Sequence, residues 1–203
     1  MKQHLPYLPQ TPSQTAGPYV HIGLAPRLAG LPAAAMDRDA PIAGPRCAGD
    51  RISVTGRILD AAGAPVRDAM IEVWQANAEG IFAHPDDPRR NELEPDFRGW
   101  GRMACDFETG EWGLQTVCPG AAPGGGAPHL SLWIVARGIN TGLATRVYFP
   151  ENTAANAADP VLDMVEPHRR PTLIAARDGA AGAGAYRFDI RLRGPGETVF
   201  LDL

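Results

Sequence analysis

Apolar and polar residues alternate over several short stretches of this chain, which is the pattern of strands buried on one face. In residues 51–59, Ile52, Val54 and Ile58 occupy alternate positions and therefore share one side of an extended segment. Similar short stretches, separated by Gly- and Pro-containing turns, predict further strands at 69–75, 101–107, 112–117, 130–136, 143–149, 185–193 and 198–203. Strands of this length and spacing predict an all-β fold, a β-sandwich.

The remaining segments predict an arm and two short helices. Residues 1–46 are rich in proline and lack periodicity, so we expect an extended arm followed by a sandwich domain over 47–203. Residues 156–166 and 171–177 are helical candidates, and the second begins with Pro171, which suits a first helical turn.

Composition narrows the class of protein without choosing a function. Of 203 residues, 44% are hydrophobic, and 19 basic against 23 acidic residues give a net charge of −4. This balance offers no argument for nucleic acid or an anionic membrane as a partner. Cys47, Cys105 and Cys118 match no metal-binding spacing and are expected to be free thiols. The N-terminus shows no apolar signal region and no stretch is long enough to span a membrane, so a cytoplasmic location is expected.

Three motifs carry a resemblance to a known family. They are TPSQTAGPY at 11–19, EVWQAN at 72–77 and AYRFDI at 185–190. Together they resemble the intradiol ring-cleaving dioxygenases, and among these the alpha chains of the two-chain members that act on 3,4-dihydroxybenzoate. The resemblance implies an intradiol-dioxygenase-like β-sandwich with an extended N-terminal arm and short helices. It also implies cleavage of the substrate by O₂ to 3-carboxy-cis,cis-muconate.

The family's iron ligands are mostly missing from this chain. Catalytic members bind ferric iron through a His-X-His pair and two tyrosines, but here His129 is followed by Ser131, and no tyrosine lies between Tyr19 and Tyr148. Gly126 stands where those members carry an arginine. The resemblance therefore implies that Fe(III) is held by a partner beta chain, and we expect no metal ligand and no catalytic residue here. We interpret His129 as a hydrogen-bonded structural residue.

The resemblance assigns substrate-binding roles to five residues. The arm residues Thr15, Gly17, Pro18 and Tyr19 would reach the catalytic centre of the beta chain and line the substrate pocket. By residue type alone this segment is a small-residue turn, and a rigid bend at the domain entrance is favoured over a pocket wall. Arg146 would help to attract or hold the substrate carboxylate, directly or through water, since an arginine suits paired hydrogen bonds to a carboxylate. On a strand, however, an arginine is more often salt-bridged or solvated.

The motif at 72–77 is interpreted as architecture. We expect Trp74 to fill the core, and Gln75 and Asn77 to satisfy backbone groups where the strand ends. The segment 185–193 is likewise interpreted as an edge or interface strand.

Two other functions remain open at this point. The chain could be a self-sufficient intradiol dioxygenase, for which tyrosines at 7, 19, 148 and 186 would have to converge. It could also be a non-enzymatic, transthyretin-like binding module. The interpretation that we favour predicts αβ pairs in a larger oligomer, with 3,4-dihydroxybenzoate and O₂ as ligands.

Overall fold

The computed structural model describes residues 11–12, 14–20, 24–25, 41–122, 124 and 126–202, and within them two β-sheets pack face to face. The strands are β1 (Arg51–Leu59), β2 (Met70–Trp74), β3 (Trp100–Ala104), β4 (Glu111–Val117), β5 (His129–Val135), β6 (Leu143–Tyr148), β7 (Ala176–Arg177), β8 (Ala185–Arg187) and β9 (Ile190–Arg191). One sheet has the order β4-β1-β8-β7, with β9 also paired to β1; the other has the order β3-β2-β5-β6. The predicted β-sandwich is therefore confirmed.

The core lies between the inner faces of the sheets. From the first sheet it takes side chains such as Val54 and Ile58, and from the second Ile71, Val73 and Leu130, all fully buried. Burying a side chain of this size contributes roughly 1.5–3 kcal/mol to folding, so this interior is the main source of stability. Glu72 and Trp74, on the other face of β2, are only partly buried.

Gly56 allows β1 to lie close to the chain that connects β8 and β9. A Cβ at this position would lie 1.9 Å from the carbonyl oxygen of Phe188. The backbone of Phe188 instead donates a 2.8 Å hydrogen bond to Thr55. The predicted strand 185–193 divides here, because the Asp189 carboxylate accepts a hydrogen bond from the Arg57 backbone and interrupts the ladder. The segment was predicted to be an edge or interface strand, and the edge position is wrong for β8, which lies between β1 and β7.

Both segments predicted to be helical contain helical turns, but neither forms one continuous helix. Residues 156–166 were expected to form one helix, but α1 (Thr153–Ala157) and α2 (Pro160–Met164) are separate. Asp159 is the N-cap of α2 and accepts hydrogen bonds from the first helical N–H groups, which requires an extended backbone at that residue. The second candidate is a 3₁₀ turn, Arg170–Leu173, after which Ile174 bridges to Tyr148 and β7 begins.

The C-terminal segment 198–202 is not a continuous strand. It makes one bridge, between Leu201 and Ala144 at the edge of β6, and the last residue lies outside the described part of the chain. Two further 3₁₀ turns occur at Gly17–Tyr19 and Arg90–Glu92. Among the described residues, no helix has the length and apolar character needed to cross a membrane. The three cysteines are free, as expected.

Candidate functional site

The start of β5 and the end of β6 hold the positions where relatives are expected to bind iron. His129 pairs with Tyr148, and Ser131 pairs with Arg146, so these four side chains share the outer face of the sheet. Nδ1 of His129 lies 2.8 Å from the carbonyl oxygen of Ala127, which can only accept, so Nδ1 carries the proton. Burial lowers the pKa of His129 and keeps the ring neutral near pH 7. The hydrogen bond that was expected of His129 is therefore confirmed.

A hydrogen-bonded chain connects Arg146, Tyr148 and Asp159. The guanidinium of Arg146 donates to the hydroxyl of Tyr148 at 3.2 Å, and this hydroxyl donates to Oδ1 of Asp159 at 3.0 Å. Burial raises the pKa of Tyr148 to about 12, so its phenol stays protonated. Tyr148 is fully buried, and its hydroxyl is engaged by both Arg146 and Asp159.

Asp159 joins three elements at this position. Its Oδ1 accepts from the backbone N–H groups of Val161 and Leu162 at 2.9 Å each, and its Oδ2 accepts from Ala127 at 2.8 Å. Burial acts to raise the pKa of Asp159, but these hydrogen bonds together hold it below its ordinary value. The carboxylate therefore acts as a fixed structural anion between β5, β6 and α2.

These residues do not fit a ferric ion. His129 is the only histidine on β5 and β6, the nearby phenol is protonated and bound to a carboxylate, and the cationic side chain of Arg146 shares a face with Ser131. Its Nε is buried without a hydrogen-bond partner in the described part of the chain. Of the residues that the structure describes, no group of three or more His, Cys, Asp or Glu side chains is arranged to hold a metal.

The arm is attached to the turn between β5 and β6. The Thr15 hydroxyl accepts a 2.8 Å hydrogen bond from the backbone of Gly138 and donates to the carbonyl of Ala136 at 3.4 Å. Gly17 has a φ of 63°, in the left-handed region that favours glycine, and it begins the 3₁₀ turn. Tyr19 is 72% exposed. The side chain of Pro18 and residue 7 lie outside the described part of the chain.

A second attachment lies further along the arm. The carbonyl of Leu24 accepts a 3.1 Å hydrogen bond from Arg102, whose guanidinium also pairs with Glu72 on the outer face of the second sheet. The same guanidinium lies 5.4 Å from the ring centroid of Trp100. Ala25 is buried. These contacts place the described arm residues on the outer face of the second sheet. The same face carries His129 and Ser131, the altered iron position.

Arg137 is a candidate that sequence reasoning missed. It lies on the turn that Thr15 holds, its Nε is 3.1 Å from Oδ2 of Asp68, and its side chain is 61% exposed. By contrast, Arg146 pairs with Ser131. Ser131 lies five positions before Ala136, so Arg146 is roughly 16 Å from Ala136 along the strand. The structure therefore does not bring Arg146 next to Thr15. The available signal was a cation beside glycine in a turn, a position that is normally exposed.

The motif at 72–77 is architectural, as interpreted. The side-chain amide of Gln75 donates to the carbonyls of Ala76 and Val117 at 2.9 and 3.1 Å, and Oδ1 of Asn77 accepts from the backbone of Ile81 at 2.9 Å. Trp74 does not fill the core. It is partly buried on the outer face and stacks on Phe82 with a centroid separation of 6.0 Å.

Comparison with known proteins agrees with this geometry. A family model described as dioxygenase matches residues 32–194. Among solved structures, the dioxygenase domain of a carbohydrate-binding fusion protein from Streptomyces sp. SirexAA-E has a TM-score of 0.58 at 22% identity, covering 79% of this chain and 88% of that one. The 3-chlorocatechol 1,2-dioxygenase of Rhodococcus opacus 1CP also has a TM-score of 0.58 at 22% identity, covering 77% and 65%. Likenesses at this identity establish the fold.

Sequence relatives establish the family. The chain belongs to the intradiol ring-cleavage dioxygenases. It is 48% identical over 200 residues to the protocatechuate 3,4-dioxygenase alpha chain of Pseudomonas putida, covering 96% of this chain and 97% of that one. The alpha chain of Burkholderia cepacia is 41% identical, covering 97% and 98%. The beta chain from the same species is 38% identical over 160 residues, covering 74% and 67%.

Proposed function

We propose that this chain is the alpha subunit of a protocatechuate 3,4-dioxygenase and that it completes the substrate pocket of a beta subunit. The observation that carries the proposal is the 48% identity to an alpha chain over nearly the full length of both proteins. The altered iron position supports it, because one imidazole beside a serine and a guanidinium is a poor ferric site. The reaction is cleavage of 3,4-dihydroxybenzoate by O₂ to 3-carboxy-cis,cis-muconate.

Ferric iron is proposed to be held by the beta chain. The contribution of the alpha chain is then to position the substrate and to exclude water, since misplacement of a substrate by about 1 Å can cost on the order of 10²-fold in rate. The arm residues Thr15, Gly17, Pro18 and Tyr19 are proposed to line the pocket. The exposure of Tyr19 leaves its ring available to a partner. We further propose αβ pairs within a larger, cytoplasmic oligomer.

Two arginines are candidates for binding the substrate carboxylate. Arg146 was predicted from the sequence; within the described part of the chain its guanidinium donates to Tyr148, and its buried Nε has no hydrogen-bond partner there. Arg137 is more exposed and lies on the same turn as Thr15, so it adjoins the arm residues that are proposed to line the pocket. An arginine binds a carboxylate through two parallel hydrogen bonds, which gives affinity and orientation together.

Production of this chain with and without a beta chain tests the proposed function. We expect the purified chain alone to be colourless, inactive and free of stoichiometric iron, and the co-produced complex to be coloured by tyrosinate-bound ferric iron and active on 3,4-dihydroxybenzoate. An active, iron-containing solitary chain would instead identify a self-sufficient dioxygenase. A chain that forms no active complex with any beta chain would support a non-enzymatic binding module.

Alanine substitution in the assembled enzyme tests the two arginines. Loss of a charge-assisted contact costs roughly 1.5–3 kcal/mol, so the variant that removes the carboxylate contact should raise KM by about 10- to 150-fold. Arg146→Ala and Arg137→Ala are compared with Arg193→Ala, an exposed arginine near the C-terminus that serves as the matched control. An unchanged KM in both test variants would show that neither arginine contributes to binding of the substrate carboxylate.

A further inference from the structure

Three segments that are distant in sequence meet around Arg137. The residue itself lies on the turn after β5, Thr15 comes from the arm, and Asp68 lies two residues before β2. The turn is closed by a 3.2 Å hydrogen bond from the backbone of Ile139 to Ala136, and Gly138 adopts a φ of 82°. The hydroxyl of Thr15 bridges the residues on either side of Arg137 and so fixes the backbone that carries the guanidinium.

The side chain of Asp68 is less exposed than that of Arg137, and the backbone next to Asp68 is fixed by a hydrogen bond. Its neighbour Ala69 is fully buried, and the carbonyl of Ala69 accepts a 3.0 Å hydrogen bond from the backbone of Cys105. The Asp68 side chain is 26% exposed, whereas that of Arg137 is 61% exposed. A less exposed carboxylate, next to a hydrogen-bonded backbone segment, therefore faces a long cation that would populate many rotamers without this contact.

The geometry of the contact leaves the binding end of the guanidinium accessible. The contact joins Nε of Arg137 to Oδ2 of Asp68 at 3.1 Å, at the edge of the guanidinium nearest the chain. The two terminal nitrogens lie beyond Nε, and they are the pair that can grip a ligand carboxylate end-on. A side chain already fixed in its binding rotamer loses less conformational entropy when the ligand arrives.

We propose that Asp68 is a positioning residue, which fixes the Arg137 guanidinium for the carboxylate of the substrate that the assembled enzyme binds. This inference rests on the proposed function and on the assignment of the carboxylate contact to Arg137. Two effects of Asp68 oppose one another. Its negative charge repels a carboxylate, while its contact orders the cation. The proposal states that the ordering effect is the larger, so removal of the charge should weaken substrate binding.

The test is Asp68→Asn in the assembled enzyme. We expect KM for 3,4-dihydroxybenzoate to rise about 3- to 10-fold with kcat within about twofold, as for loss of one positioned contact that acts on binding. The inhibition constant of catechol, which has no carboxylate, should stay unchanged. Asp163→Asn, which removes the partner of Arg170 in an exposed ion pair, is the matched control and should change neither constant.

A double-mutant cycle separates this proposal from the one on which it rests. If Asp68 acts through Arg137, Asp68→Asn should have no further effect on KM in an Arg137→Ala background. An Arg137→Ala variant with unchanged KM would overturn both the carboxylate role of Arg137 and the role of Asp68. A raised KM in Arg137→Ala, together with an unchanged or lowered KM in Asp68→Asn, would overturn the role of Asp68 alone. An equal rise in the catechol inhibition constant would mark a general structural effect and refute the proposal.

Discussion

Replacement of Asp159 with asparagine tests whether this carboxylate holds together the start of β5, the end of β6 and the start of α2. The fully buried carboxylate accepts four hydrogen bonds, three at Oδ1 and one at Oδ2. Asparagine keeps one acceptor oxygen, which can retain the three contacts with Tyr148, Val161 and Leu162. Its amide nitrogen then faces the backbone N–H of Ala127, so two donors oppose one another and this buried N–H has no acceptor.

The expected cost follows from these contacts. A hydrogen bond to a charged group contributes about 1.5–3 kcal/mol, and an orphaned buried donor costs about 1–3 kcal/mol, with overlap between the two. We therefore expect Asp159→Asn to destabilise the chain by about 2–4 kcal/mol near neutral pH. At this chain length each kcal/mol shifts the unfolding midpoint by about 2–4 °C, so a fall of roughly 5–15 °C is expected.

The control lies on the same helix. Asp163 is an exposed carboxylate, 3.5 Å from Arg170, and Asp163→Asn should cost less than about 0.5 kcal/mol. Both variants are measured by thermal unfolding of the assembled enzyme and by hydrogen exchange of the peptide that contains Ala127. Faster exchange of that peptide is expected in Asp159→Asn alone. Equal unfolding midpoints and equal exchange in the two variants would refute the structural role.

The pH dependence supplies a second check on Asp159. Its folded pKa lies below the ordinary value, so the unfolded state binds more protons once the pH falls below about 4. The stabilising contribution is complete above that pH and is lost as the pH falls through the lower, folded pKa. The difference between the parent protein and Asp159→Asn should therefore narrow only in acid. A difference that is constant from pH 7 to pH 3 would contradict the assigned charge state.

Three further outcomes are expected. Thr15→Val should release the arm from the turn at Ala136–Gly138 and speed hydrogen exchange of the arm in the assembled enzyme, because two hydrogen bonds worth about 1 kcal/mol each are lost; unchanged exchange would contradict the contact. The lowered pKa of His129 means that stability falls as the pH drops below about 6.5 toward its folded pKa, and His129→Asn should remove that part of the acid dependence in denaturant titrations. Ser131→His should yield no tightly held iron by metal analysis, since the guanidinium of Arg146 shares that face; stoichiometric iron in this variant would show that the serine alone prevents binding.

Local patterns in the sequence predicted most of the sandwich, because burial on one face imposes a period of two on each strand. β1 occupies the nine residues that its alternation indicates. The failures were at side chains that compete with the regular backbone. Asp159 starts a new helix within a segment whose composition favours one helix, and Asp189 interrupts a strand by binding the backbone of Arg57. Such competition depends on which neighbour the folded chain brings near, and that information is absent from local periodicity.

The candidate site likewise has features that the sequence predicts and features that depend on the folded chain. The loss of iron ligands could be read from residue types, because ligand identity at His129 and Ser131 is a property of the sequence alone. The pairing of Asp68 with Arg137 could not be read so, because it depends on β2 lying beside β5 in the sheet. For the same reason, the sequence suggested Arg146 as a carboxylate ligand but could not show that Thr15 lies beside Arg137, at the other end of β5.

Hydrogen bonds of Asp159 and Tyr148 connect the segments around His129 and Ser131. A coordinated ion would tie β5, β6 and the following loops together through its ligands; in this chain Asp159 and Tyr148 make those connections by hydrogen bonds to Ala127, α2 and Arg146. The main core between the sheets is built without Asp159, Tyr148 and Ala127. The hydrogen bonds of Asp159 thus hold this face together, whereas Thr15, Asp68 and Arg137 meet at the turn after β5. It follows that substitutions at Asp159 should affect stability first, whereas substitutions at Thr15, Asp68 and Arg137 should affect substrate binding first.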